Sequence, residues 1–585
     1  MNTSHLVDLR SELSRRGLDG FLVPRSDEHL GEYVPAGSER LGWVSGFTGS
    51  AGLGVVLAGR ACLFVDGRYV LQARTETDPA AWERRHITDE PPAAWLMQVA
   101  PGARIGYDPW LHPQSELTKF QDAGVTLVAC TKNPIDAVWV DRPAPPPDPA
   151  VTHAIELSGR AASDKRAEIA KRLTAGRLDT AIVSDPACLA WLMNVRGSDV
   201  PFTPFVLGFG LIHADGRLDV FADPQKFATL GNWLDSEVTV APRAALDTAL
   251  TMLSGKRVGV DAASQPSAIA KILAANGAEV VAGPDPVTLP KARKNAVEQN
   301  GARSAQARDA VAVCQFLEWI SGRPSGSETE MSAAAHLLAL RAEQADFRGE
   351  SFPAISASGP NAAIMHYRVD AASNRAIGPN AVYLIDSGGQ FGSGTTDVTR
   401  TIWIGPDAPP PELRRRVTQV MQGHIAMATL AFPHGVSGAH LDAFARHALW
   451  QDGLDFDHGT GHGVGSYLSV HEGPVGFSRA ARPIPIEAGM QLSNEPGFYV
   501  PGEYGIRLEN LLLVQPDPER SHTRPFLHFE TITLAPFDRT LINAALLRPS
   551  ERVWLDSYHA RVLAEVGPQV PDATRAWLAK ACAPL

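Results

Sequence analysis

Hydrophobic residues near the start of the chain recur first at helical spacing and then in short strand-like runs. Leu6, Leu9 and Leu13 lie three and four positions apart and predict an amphipathic helix over Ser4–Arg16, ended by Gly17. Apolar runs at LDGFLVP, AGLGVVLAG and ACLFVDG predict strands after it. The chain therefore begins with an α/β pattern.

The same order of elements returns from Ser163. A helical stretch, SDKRAEIAKRLTAG, precedes strand-like runs at LDTAIVS, FVLGFGLIHADG and RLDVFAD. The segment RPAPPPDPA (142–150) separates the copies, and its prolines lack amide protons and helical freedom, so we predict a linker. We predict two related α/β domains at residues 1–145 and 155–290. We favour duplication, although unrelated α/β domains can share this rhythm.

The pattern changes after residue 290. Residues 296–321 predict one long helix, and a second helix is expected from Ser327, with Glu330 completing a capping box in SETE. Two further helices, PELRRRVTQVMQGHIAMATL and SGAHLDAFARHALWQ, lie among strand pairs that continue to about residue 535. Helices mixed with mostly antiparallel strands indicate an α+β domain at 296–535. A C-terminal extension at 536–585 follows it, and we predict helix in its residues 549–585.

Composition narrows the class of protein. The 585 residues are 44% hydrophobic with a net charge of −11, so nothing in the charge favours a nucleic-acid partner. No run approaches the roughly 18 apolar residues of a membrane span, and the N-terminus lacks the pattern of a secretory signal. Five widely spaced cysteines are typical of a reducing compartment. We expect a cytoplasmic protein with no membrane partner.

The stretch DSGGQFGSGTTD places two acids on either side of a glycine-rich turn. If the turn centres near Phe391 and Gly392, Asp386 and Asp397 face each other on an antiparallel ribbon, where like charges destabilise the pair. Protonation of one acid or a cation between the two would relieve the repulsion. Two solvated aspartates beside a surface turn are the alternative for this stretch taken alone.

A second strand pair, GMQLSNEPGFYVPGEYGIRLENLLLV, repeats the arrangement. We predict that Glu495 ends its first strand and that Glu509 lies inside its second. A buried carboxylate must be paired or bound to a metal. Arg507, two residues from Glu509 and on the same face of the strand, could supply that pairing. It could not do so for all four acids.

Three histidines lie between the two acidic segments. His462 is surrounded by glycines at 459, 461, 463 and 465, and His458 and His471 flank it. The histidines at 424, 440 and 447, on predicted amphipathic helices, are interpreted as ordinary polar residues. Four carboxylates and one imidazole form an oxygen-rich set that suits manganese and its neighbours. The set can hold two ions about 3.5–4 Å apart.

At these residues the chain resembles the pita-bread metallopeptidases (M24), which include methionine aminopeptidase, prolidase and aminopeptidase P. The ordered set Asp386, Asp397, His462, Glu495 and Glu509 is similar to the five ligands of that class. The segments IMHYR, VYLIDSG, GTTDVTRT, HGTGHGVGSYLSVHEGP, NEPGFY and GIRLEN resemble the motifs of the long, three-domain aminopeptidase P (Xaa-Pro aminopeptidase) branch. In the first half, GWVSGFTGSAG and FVDGRY are the clearest points, and WLDSYHARV extends the resemblance to the tail.

The resemblance implies two creatinase-type N-terminal α/β domains followed by a pita-bread catalytic domain. It also implies a hydrolase that removes the N-terminal residue of peptides with proline second. One metal would be held by Asp386 and the other by His462 and Glu495, with Asp397 and Glu509 bridging. A hydroxide between the metals would attack the carbonyl before proline, with Glu495 as general base and proton shuttle.

The resemblance assigns substrate contacts as well. His366, His458 and His471 match histidines that bind substrate and stabilise the tetrahedral intermediate, and Tyr499 and Arg507 match positions around the substrate pocket. Phe498 stands where tyrosine is common, which puts a hydroxyl contact at that position in doubt. An Xaa-Pro bond has no N–H on proline, so a shaped pocket for the ring is expected to replace that hydrogen bond.

The expected cofactors are two divalent ions, with Mn²⁺ preferred and Zn²⁺ or Co²⁺ as alternatives, and the expected assembly is a homodimer. Prolidase, which cleaves Xaa-Pro dipeptides, is the nearest alternative function. The long N-terminal half and the tail favour the aminopeptidase. Methionine aminopeptidase needs about half this length, and creatinase, which shares the fold, works without metal. A protein-binding module without catalysis is the alternative from another class, and the complete ligand set argues against it.

Overall fold

The computed structural model describes residues 3–585, which form two compact units. The first unit comprises residues 3–155 and 160–291, and the second comprises residues 156–159 and 292–585. Each unit has its own hydrophobic clusters.

The first unit begins with a six-stranded mixed sheet in the order β4-β3-β2-β1-β5-β6. Its strands are Gly20–Pro24 (β1), Leu53–Leu57 (β2), Ala61–Val65 (β3), Glu83–His86 (β4), Arg104–Tyr107 (β5) and Thr126–Ala129 (β6). Its helices are Thr3–Arg15 (α1), Arg40–Ser45 (α2), Val70–Glu76 (α3), Pro92–Val99 (α4), Gln114–Asp122 (α5) and Pro134–Val138 (α6).

A second six-stranded sheet follows in the order β12-β11-β10-β8-β13-β14. The strands of this region are Val151–Thr152 (β7), Thr180–Val183 (β8), Val195–Arg196 (β9), Phe209–His213 (β10), Leu218–Phe221 (β11), Val238–Ala241 (β12), Arg257–Val260 (β13) and Glu279–Ala282 (β14), with β7 paired to β9. The helices are Ile155–Ser158 (α7), Ala162–Ala175 (α8), Pro186–Met193 (α9), Pro224–Phe227 (α10), Leu246–Thr251 (α11), Ser267–Ala275 (α12) and Thr288–Ala292 (α13).

The two sheets have one topology. In each, the first strand pairs antiparallel with the second and parallel with the fifth, the second pairs antiparallel with the third, and the outer pairs are parallel. The repeated order of elements that the sequence pattern predicts is therefore present. The segment at 143–150 that separates the copies has neither helix nor strand, as expected of a proline-rich linker.

The helical and strand patterns of this half have a direct physical origin. Leu6, Leu9 and Leu13 are all buried on α1, and Gly17, with φ +68°, follows the helix end in a conformation that favours glycine. Strands β1, β2 and β3 are buried along their whole length, which explains their continuous apolar runs.

Within the second unit, residues 296–585 combine six α-helices with several antiparallel sheets. Its helices are Ala296–Ser321 (α14), Glu330–Ala342 (α15), Pro411–Ala428 (α16), Gly438–Trp450 (α17), Pro549–Val566 (α18) and Asp572–Ala581 (α19). Its strands are Phe347–Glu350 (β15), Ile355–Ser358 (β16), Ala381–Ser387 (β17), Gly389–Phe391 (β18), Gly394–Thr395 (β19), Val398–Ile404 (β20), Ala431–Pro433 (β21), Gly461–Gly463 (β22), Glu472–Phe477 (β23), Gln491–Asn494 (β24), Gly497–Val500 (β25), Tyr504–Arg507 (β26), Asn510–Pro516 (β27) and Phe526–Thr531 (β28).

Two sheets and one hairpin of this unit carry the acidic segments. The sheet β16-β17-β20 carries Asp386, and Asp397 directly precedes its strand β20. The sheet β21-β28-β27-β24-β22-β23 carries His462, and Glu495 and Glu509 adjoin the ends of its strands β24 and β27. The hairpin β25-β26 connects β24 to β27. Helices α14, α16, α18 and α19 contribute to one apolar cluster, so the C-terminal extension shares its core with the strands and helices before it.

The predicted long helix at 296–321 is confirmed, but the predicted start of the next helix is wrong. Helix α15 begins at Glu330, and its capping box joins Thr329 with Ser332 rather than Ser327 with Glu330. Glu330 is the first helical residue, and its fully buried carboxylate binds groups outside the helix. A local capping pattern could not reveal those distant partners.

The remaining expectations concern cysteines, helical histidines and membrane spans. All five cysteines have free thiols. His424 is buried against the carbonyl of Leu508, His440 takes part in the N-terminal cap of α17, and His447 is exposed on that helix. Among residues 3–585, no helix is both long and apolar enough to cross a membrane.

Candidate active site

Asp386 lies near the end of β17, beside the turn that leads to Asp397. The register pairs Asp386 with Thr399 and Ser387 with Val398, so the prediction that Asp386 directly faces Asp397 is wrong. The intervening residues form the small ribbon β18-β19, and the observed partner of Asp386 therefore lies two positions beyond the predicted partner, Asp397. Because side chains alternate with period two, this shift leaves Asp386 and Asp397 on one face as diagonal neighbours.

Arg507 is the charged partner of Asp386. Its Nη2 and Nε lie 2.5 and 3.2 Å from Asp386 Oδ2, and its Nη1 donates to the Tyr499 hydroxyl at 2.8 Å. The Tyr499 hydroxyl in turn lies 2.9 Å from His458 Nε2. Arg507 therefore does not pair with Glu509, as its position on the strand suggested, but connects Asp386 to His458 through Tyr499.

Glu495 lies just after the C-terminal end of β24, and Glu509 lies just before the N-terminal end of β27. Asn494 pairs with Asn510, so Glu495 directly follows one strand and Glu509 directly precedes the other. The prediction for Glu495 is confirmed, whereas Glu509 lies in a break between β26 and β27 rather than inside a strand. The break turns the chain from the hairpin into the sheet and aims Glu509 at the acidic cluster.

The side chain of His462 is oriented by its neighbours. Its Nδ1 lies 2.9 Å from the Gly463 carbonyl and can act there only as a donor, so the neutral ring presents a lone pair at Nε2. Nε2 lies 3.5 Å from both Asp397 Oδ2 and Glu495 Oε1. A Cβ on Gly461 would lie 2.0 Å from the Ser493 carbonyl, so glycine is required where this strand meets β24.

These side chains satisfy the geometric conditions of a metal site. Asp397, His462 and Glu509 each offer a ligand atom within 4.8 Å of the other two. Asp386 Oδ1 and Glu509 Oε1 are buried without a hydrogen-bond partner, although buried carboxylate oxygens are normally satisfied. An oxygen-rich set with two unsatisfied oxygens and an oriented imidazole fits divalent cations.

The electrostatics of the cluster favour the same conclusion. Burial raises the pKa of Asp386 to about 6 against the opposing effect of Arg507, and the charges of Asp397 and Glu495 add to the rise. Burial also raises the pKa of Glu495, and it raises that of Glu509 well above its usual range, with Asp397 as the next cause for Glu509. Asp386, Glu495 and Glu509 therefore resist ionising together in the absence of a positive charge.

His462 shows the complementary effect. Burial lowers the pKa of His462, but its contact with Asp397 and the charge of Glu495 outweigh burial and raise that pKa to about 9. The surroundings thus stabilise a positive charge at Nε2, whether a proton or a metal ion supplies it.

Of the other predicted site residues, His471 and His458 pack against rings of the site, whereas His366 lies on a separate segment. The His471 ring stands edge-to-face against that of His462, with centroids 4.3 Å apart, and the His458 ring packs on Tyr499 at 5.4 Å. His366 lies on a different segment, after the 3-10 helix Gly359–Ala363, and is half-buried. Phe498 is buried and offers no hydroxyl, whereas the next residue, Tyr499, supplies one.

Several supporting residues were not predicted from sequence. Thr399 donates its hydroxyl to Glu509 Oε2 at 2.7 Å, and Ser493 donates to Glu495 Oε1 at 3.2 Å while accepting from the His462 amide. Each lies two residues from a predicted ligand, Thr399 from Asp397 and Ser493 from Glu495. This strand spacing is the sequence signal by which both could have been predicted. Arg446 binds Asp442 and donates to the His458 carbonyl, a contact that helix spacing could not reveal.

Comparison with known protein families places matches along almost the whole chain. Residues 300–516 match the model described as "Metallopeptidase family M24", and residues 525–585 match the "C-terminal region of peptidase_M24". Two "Creatinase/Prolidase N-terminal domain" models match residues 6–138 and 141–298. These matches confirm the predicted fold class of two creatinase-type domains before a metallopeptidase domain.

Relatives match over the full length. Proteins named "Probable Xaa-Pro aminopeptidase P" from Laccaria bicolor and Coccidioides posadasii are 36% and 35% identical over all of this chain, and the matches cover 94% and 99% of those proteins.

Solved structures show a full-length match and a partial one. The X-prolyl aminopeptidase from Caenorhabditis elegans, described as "a cytosolic enzyme with a di-nuclear active site", is 33% identical with a TM-score of 0.93, and the match covers 100% of this chain and 99% of that one. The prolidase from Pyrococcus horikoshii shares the fold of 65% of this chain, covered over its own full length, at 22% identity and a TM-score of 0.51. The chain belongs to metallopeptidase family M24 and, over its whole length, to the Xaa-Pro aminopeptidase P group of that family.

Proposed function

We propose that this protein is a metal-dependent aminopeptidase that hydrolyses the bond between the N-terminal residue and a proline in the second position of peptides. The observation that carries the proposal is the convergence of Asp397, Glu495 and Glu509 on the oriented Nε2 of His462 beside Asp386, with two buried carboxylate oxygens left unsatisfied. The full-length match to Xaa-Pro aminopeptidase P proteins supports the substrate class.

Five side chains would hold the metal ions. By the family resemblance, Asp386 would serve one ion, His462 and Glu495 would serve the other, and Asp397 and Glu509 would serve both. The mutual distances of Asp397, His462 and Glu509 support a common ion for these three, and the free oxygens of Asp386 and Glu509 support further ligation there. The oxygen-rich composition of the set favours Mn²⁺, with Zn²⁺ and Co²⁺ as alternatives.

When bound, divalent ions at this position supply Lewis-acid activation of water and compensation of the charge that develops on the carbonyl oxygen. Glu495 acts as the general base and proton shuttle. Its carboxylate is held by the Ser493 hydroxyl and adjoins His462, which orients it for proton transfer. The same group then returns the proton to the leaving proline nitrogen.

Substrate contacts are assigned to His366, His458, His471, Tyr499 and Arg507. The His458 ring is fixed on both sides, since its Nδ1 lies 2.7 Å from the Gly459 carbonyl and its Nε2 contacts Tyr499. In that tautomer Nε2 accepts the proton of the Tyr499 hydroxyl, which itself accepts from Arg507. Because an Xaa-Pro bond offers no N–H, recognition through ring shape and through the carbonyl replaces the usual amide hydrogen bond.

The wider organisation is part of the same proposal. We infer creatinase-like domains at 1–145 and 155–290, a catalytic domain at 296–535 and an extension at 536–585. The common topology of the two six-stranded sheets supports the first two domains, whereas the extension shares an apolar cluster with α14 and α16 and so packs with the catalytic domain. We infer a homodimer from the family resemblance alone, and a cytoplasmic location from that resemblance and from the relative of Caenorhabditis elegans described as a cytosolic enzyme.

Peptide hydrolysis after metal exchange tests the proposal. The protein is stripped with a chelator and assayed on matched Xaa-Pro-Xaa and Xaa-Pro peptides after addition of Mn²⁺, Co²⁺ or Zn²⁺. We expect metal to restore activity and the restored protein to cleave the longer peptide. The Asp397→Ala variant should have no activity.

Three other outcomes would contradict parts of the proposal. Strict preference for the dipeptide would identify a prolidase. Full activity in the chelated protein, with no metal by elemental analysis, would remove the metal-dependent mechanism. A metal-loaded protein that binds peptides without cleaving them would indicate a binding module.

A further inference from the structure

The carboxylate of Glu330 is the centre of a buried hydrogen-bond cluster. Glu330 is the first residue of α15 and has no exposed surface. The Ser358 amide donates to its Oε1 at 2.6 Å, and the Arg375 amide donates to its Oε2 at 2.9 Å. The Asn361 side chain lies 3.0 Å from both oxygens, and the Tyr367 hydroxyl donates to Oε2 at 2.8 Å.

All these donors come from one segment. Ser358 ends β16, Asn361 lies in the 3-10 helix Gly359–Ala363, and Tyr367 and Arg375 lie in the irregular stretch that follows. Tyr367 is a buried residue of that stretch, and it is the immediate neighbour of His366. Glu330 therefore fastens both ends and the middle of the segment that carries His366.

The bonding pattern requires a carboxylate. Each of the four partners is a neutral group that donates, so both oxygens of Glu330 act only as acceptors. A glutamine has the same shape but would turn an NH₂ group towards these donors, which would leave buried donors facing each other. A helical glutamate in an exposed first turn would not be sensitive to that change.

The opposite side of the segment packs on the hairpin of the candidate site. The 3-10 helix Gly359–Ala363 contacts β25 and β26, the strands that carry Tyr499 and Arg507. A Cβ on Gly505 of β26 would lie 1.7 Å from the Ala362 carbonyl, so the two backbones touch. The segment is thus held between Glu330 and the hairpin that contacts Asp386.

We propose that Glu330 is a positioning residue for catalysis, and that it acts by holding the segment 358–376 so that His366 meets the substrate. This inference rests on the proposed function, in which His366 contacts the peptide. Glu330 itself touches neither the peptide nor the metal ligands. Its effect on the reaction is transmitted through Tyr367, Asn361 and the backbone of the segment.

A double-mutant cycle separates this role from a general loss of stability. We compare the wild-type metal-loaded protein with the Glu330→Gln, His366→Ala and double variants, using kcat/KM on an Xaa-Pro-Xaa peptide. Misplacement of a contacting group by about 1 Å costs on the order of 100-fold, so we expect Glu330→Gln to lose about 10- to 100-fold. In the background of His366→Ala we expect the same change to cost less than about 3-fold.

The matched control is Glu551→Gln. Glu551 is also a buried glutamate in the first turn of a helix, but its partners are Arg548 and Gln422. We expect Glu551→Gln to retain kcat/KM within about 3-fold. A second measurement, amide hydrogen exchange, should show faster exchange at Ser358 or at Arg375 in Glu330→Gln, because one of these two amides then faces the glutamine NH₂ instead of an oxygen acceptor.

Each result of the double-mutant cycle either supports or contradicts the positioning role of Glu330. If the losses from Glu330→Gln and His366→Ala multiply in the double variant, the positioning role through His366 is wrong. If Glu330→Gln does not fold, Tyr367→Phe removes one donor, leaves the carboxylate in place, and enters the same cycle with the same expectation. An inactive wild-type protein overturns the proposed function and this catalytic role together, whereas an active wild type with a multiplicative cycle overturns the Glu330 proposal alone.

Discussion

Arg507 and Asp386 form a buried ion pair in which a single carboxylate oxygen receives both hydrogen bonds. Nη2 and Nε of Arg507 contact Asp386 Oδ2, and Asp386 Oδ1 is buried without a partner. The guanidinium therefore binds one oxygen of the carboxylate and leaves the other oxygen available to a cation. This division explains how an arginine and a metal ion can share one aspartate.

The first prediction concerns the geometry of this pair. Arg507→Lys keeps the positive charge but loses the rigid fork that spans Asp386 and Tyr499. Loss of such support for a metal ligand typically costs about 10- to 100-fold in metal affinity or activity. We expect a loss of that size in kcat/KM at saturating Mn²⁺, measured by steady-state kinetics. Arg303→Lys, which alters a half-exposed pair with Glu530, is the control and should change little.

The second prediction is that Glu509→Gln changes the stability of the protein in opposite directions without and with metal. Without metal, burial and three other carboxylates disfavour the charged form of Glu509, so Glu509→Gln should stabilise the chelated protein. With Mn²⁺ present, the same variant should lose most of the stabilisation that the ion gives the wild type. Thermal unfolding with and without metal measures both effects.

Asp309→Asn is the matched contrast for Glu509→Gln. Asp309 is an equally buried carboxylate, but it is bonded to Arg341 at 2.6 and 3.1 Å. Removing its charge should destabilise the chelated protein, because the arginine is left buried without its partner. If Glu509→Gln also destabilises the chelated protein, the electrostatic account of the cluster is wrong.

Much of the site could be predicted from sequence because its ligands lie at the ends of short, strongly patterned strands. Period-two alternation keeps Asp386 and Asp397 on one face even though the predicted register is two positions off. The glycines around His462 likewise indicate close backbone approach, and the tight contact of Gly461 with the Ser493 carbonyl confirms it. Local rules are sufficient where the chemistry is local.

The unpredicted parts depend on contacts between distant segments. Arg507 lies two residues from Glu509 in sequence but bonds Asp386, because a break in the strand turns Glu509 away. Glu330 fits a capping motif, yet its partners lie up to 45 residues away at Arg375. Burial and partner choice arise from tertiary packing, and one sequence does not encode them as a short pattern.

The third prediction is a pH dependence in the first unit. Burial lowers the pKa of His153 to about 2, and the charges of Arg196 and Lys165 act in the same direction. The unfolded chain, with a histidine pKa near 6.5, binds this proton more readily than the folded chain, so folding loses stability as the pH falls below about 6.5. Between pH 7 and pH 5 the loss is about 2 kcal/mol.

Urea unfolding of the full chain at pH 7 and pH 5 measures this loss. His153→Gln removes the titrating group, so the difference between the two pH values should shrink in that variant. His447→Gln alters an exposed histidine and should keep the wild-type difference. An unchanged pH difference in His153→Gln would show that other groups cause the dependence.

The last prediction concerns the contact between Gly505 and Ala362. A methyl group at residue 505 would lie 1.7 Å from a backbone oxygen, and no side-chain rotation can relieve that overlap. Gly505→Ala must therefore separate hairpin β25-β26 from the 3-10 helix Gly359–Ala363, which moves Arg507 and His366 apart. We expect at least about 100-fold loss of kcat/KM, since a displacement of about 1 Å already has an effect of that order.

Gly283→Ala is the control for this substitution, because a Cβ at residue 283 meets nothing within 4 Å and should be tolerated. Kinetics of both variants, with metal content measured on the same samples, distinguish loss of the ligands from loss of the substrate contact. Retained metal with lost activity is expected at saturating Mn²⁺, because none of the five ligands lies on hairpin β25-β26 or on the 3-10 helix Gly359–Ala363. Full activity in Gly505→Ala would mean that the 3-10 helix and the hairpin need not touch, and that the segment carrying His366 is positioned from the Glu330 side alone.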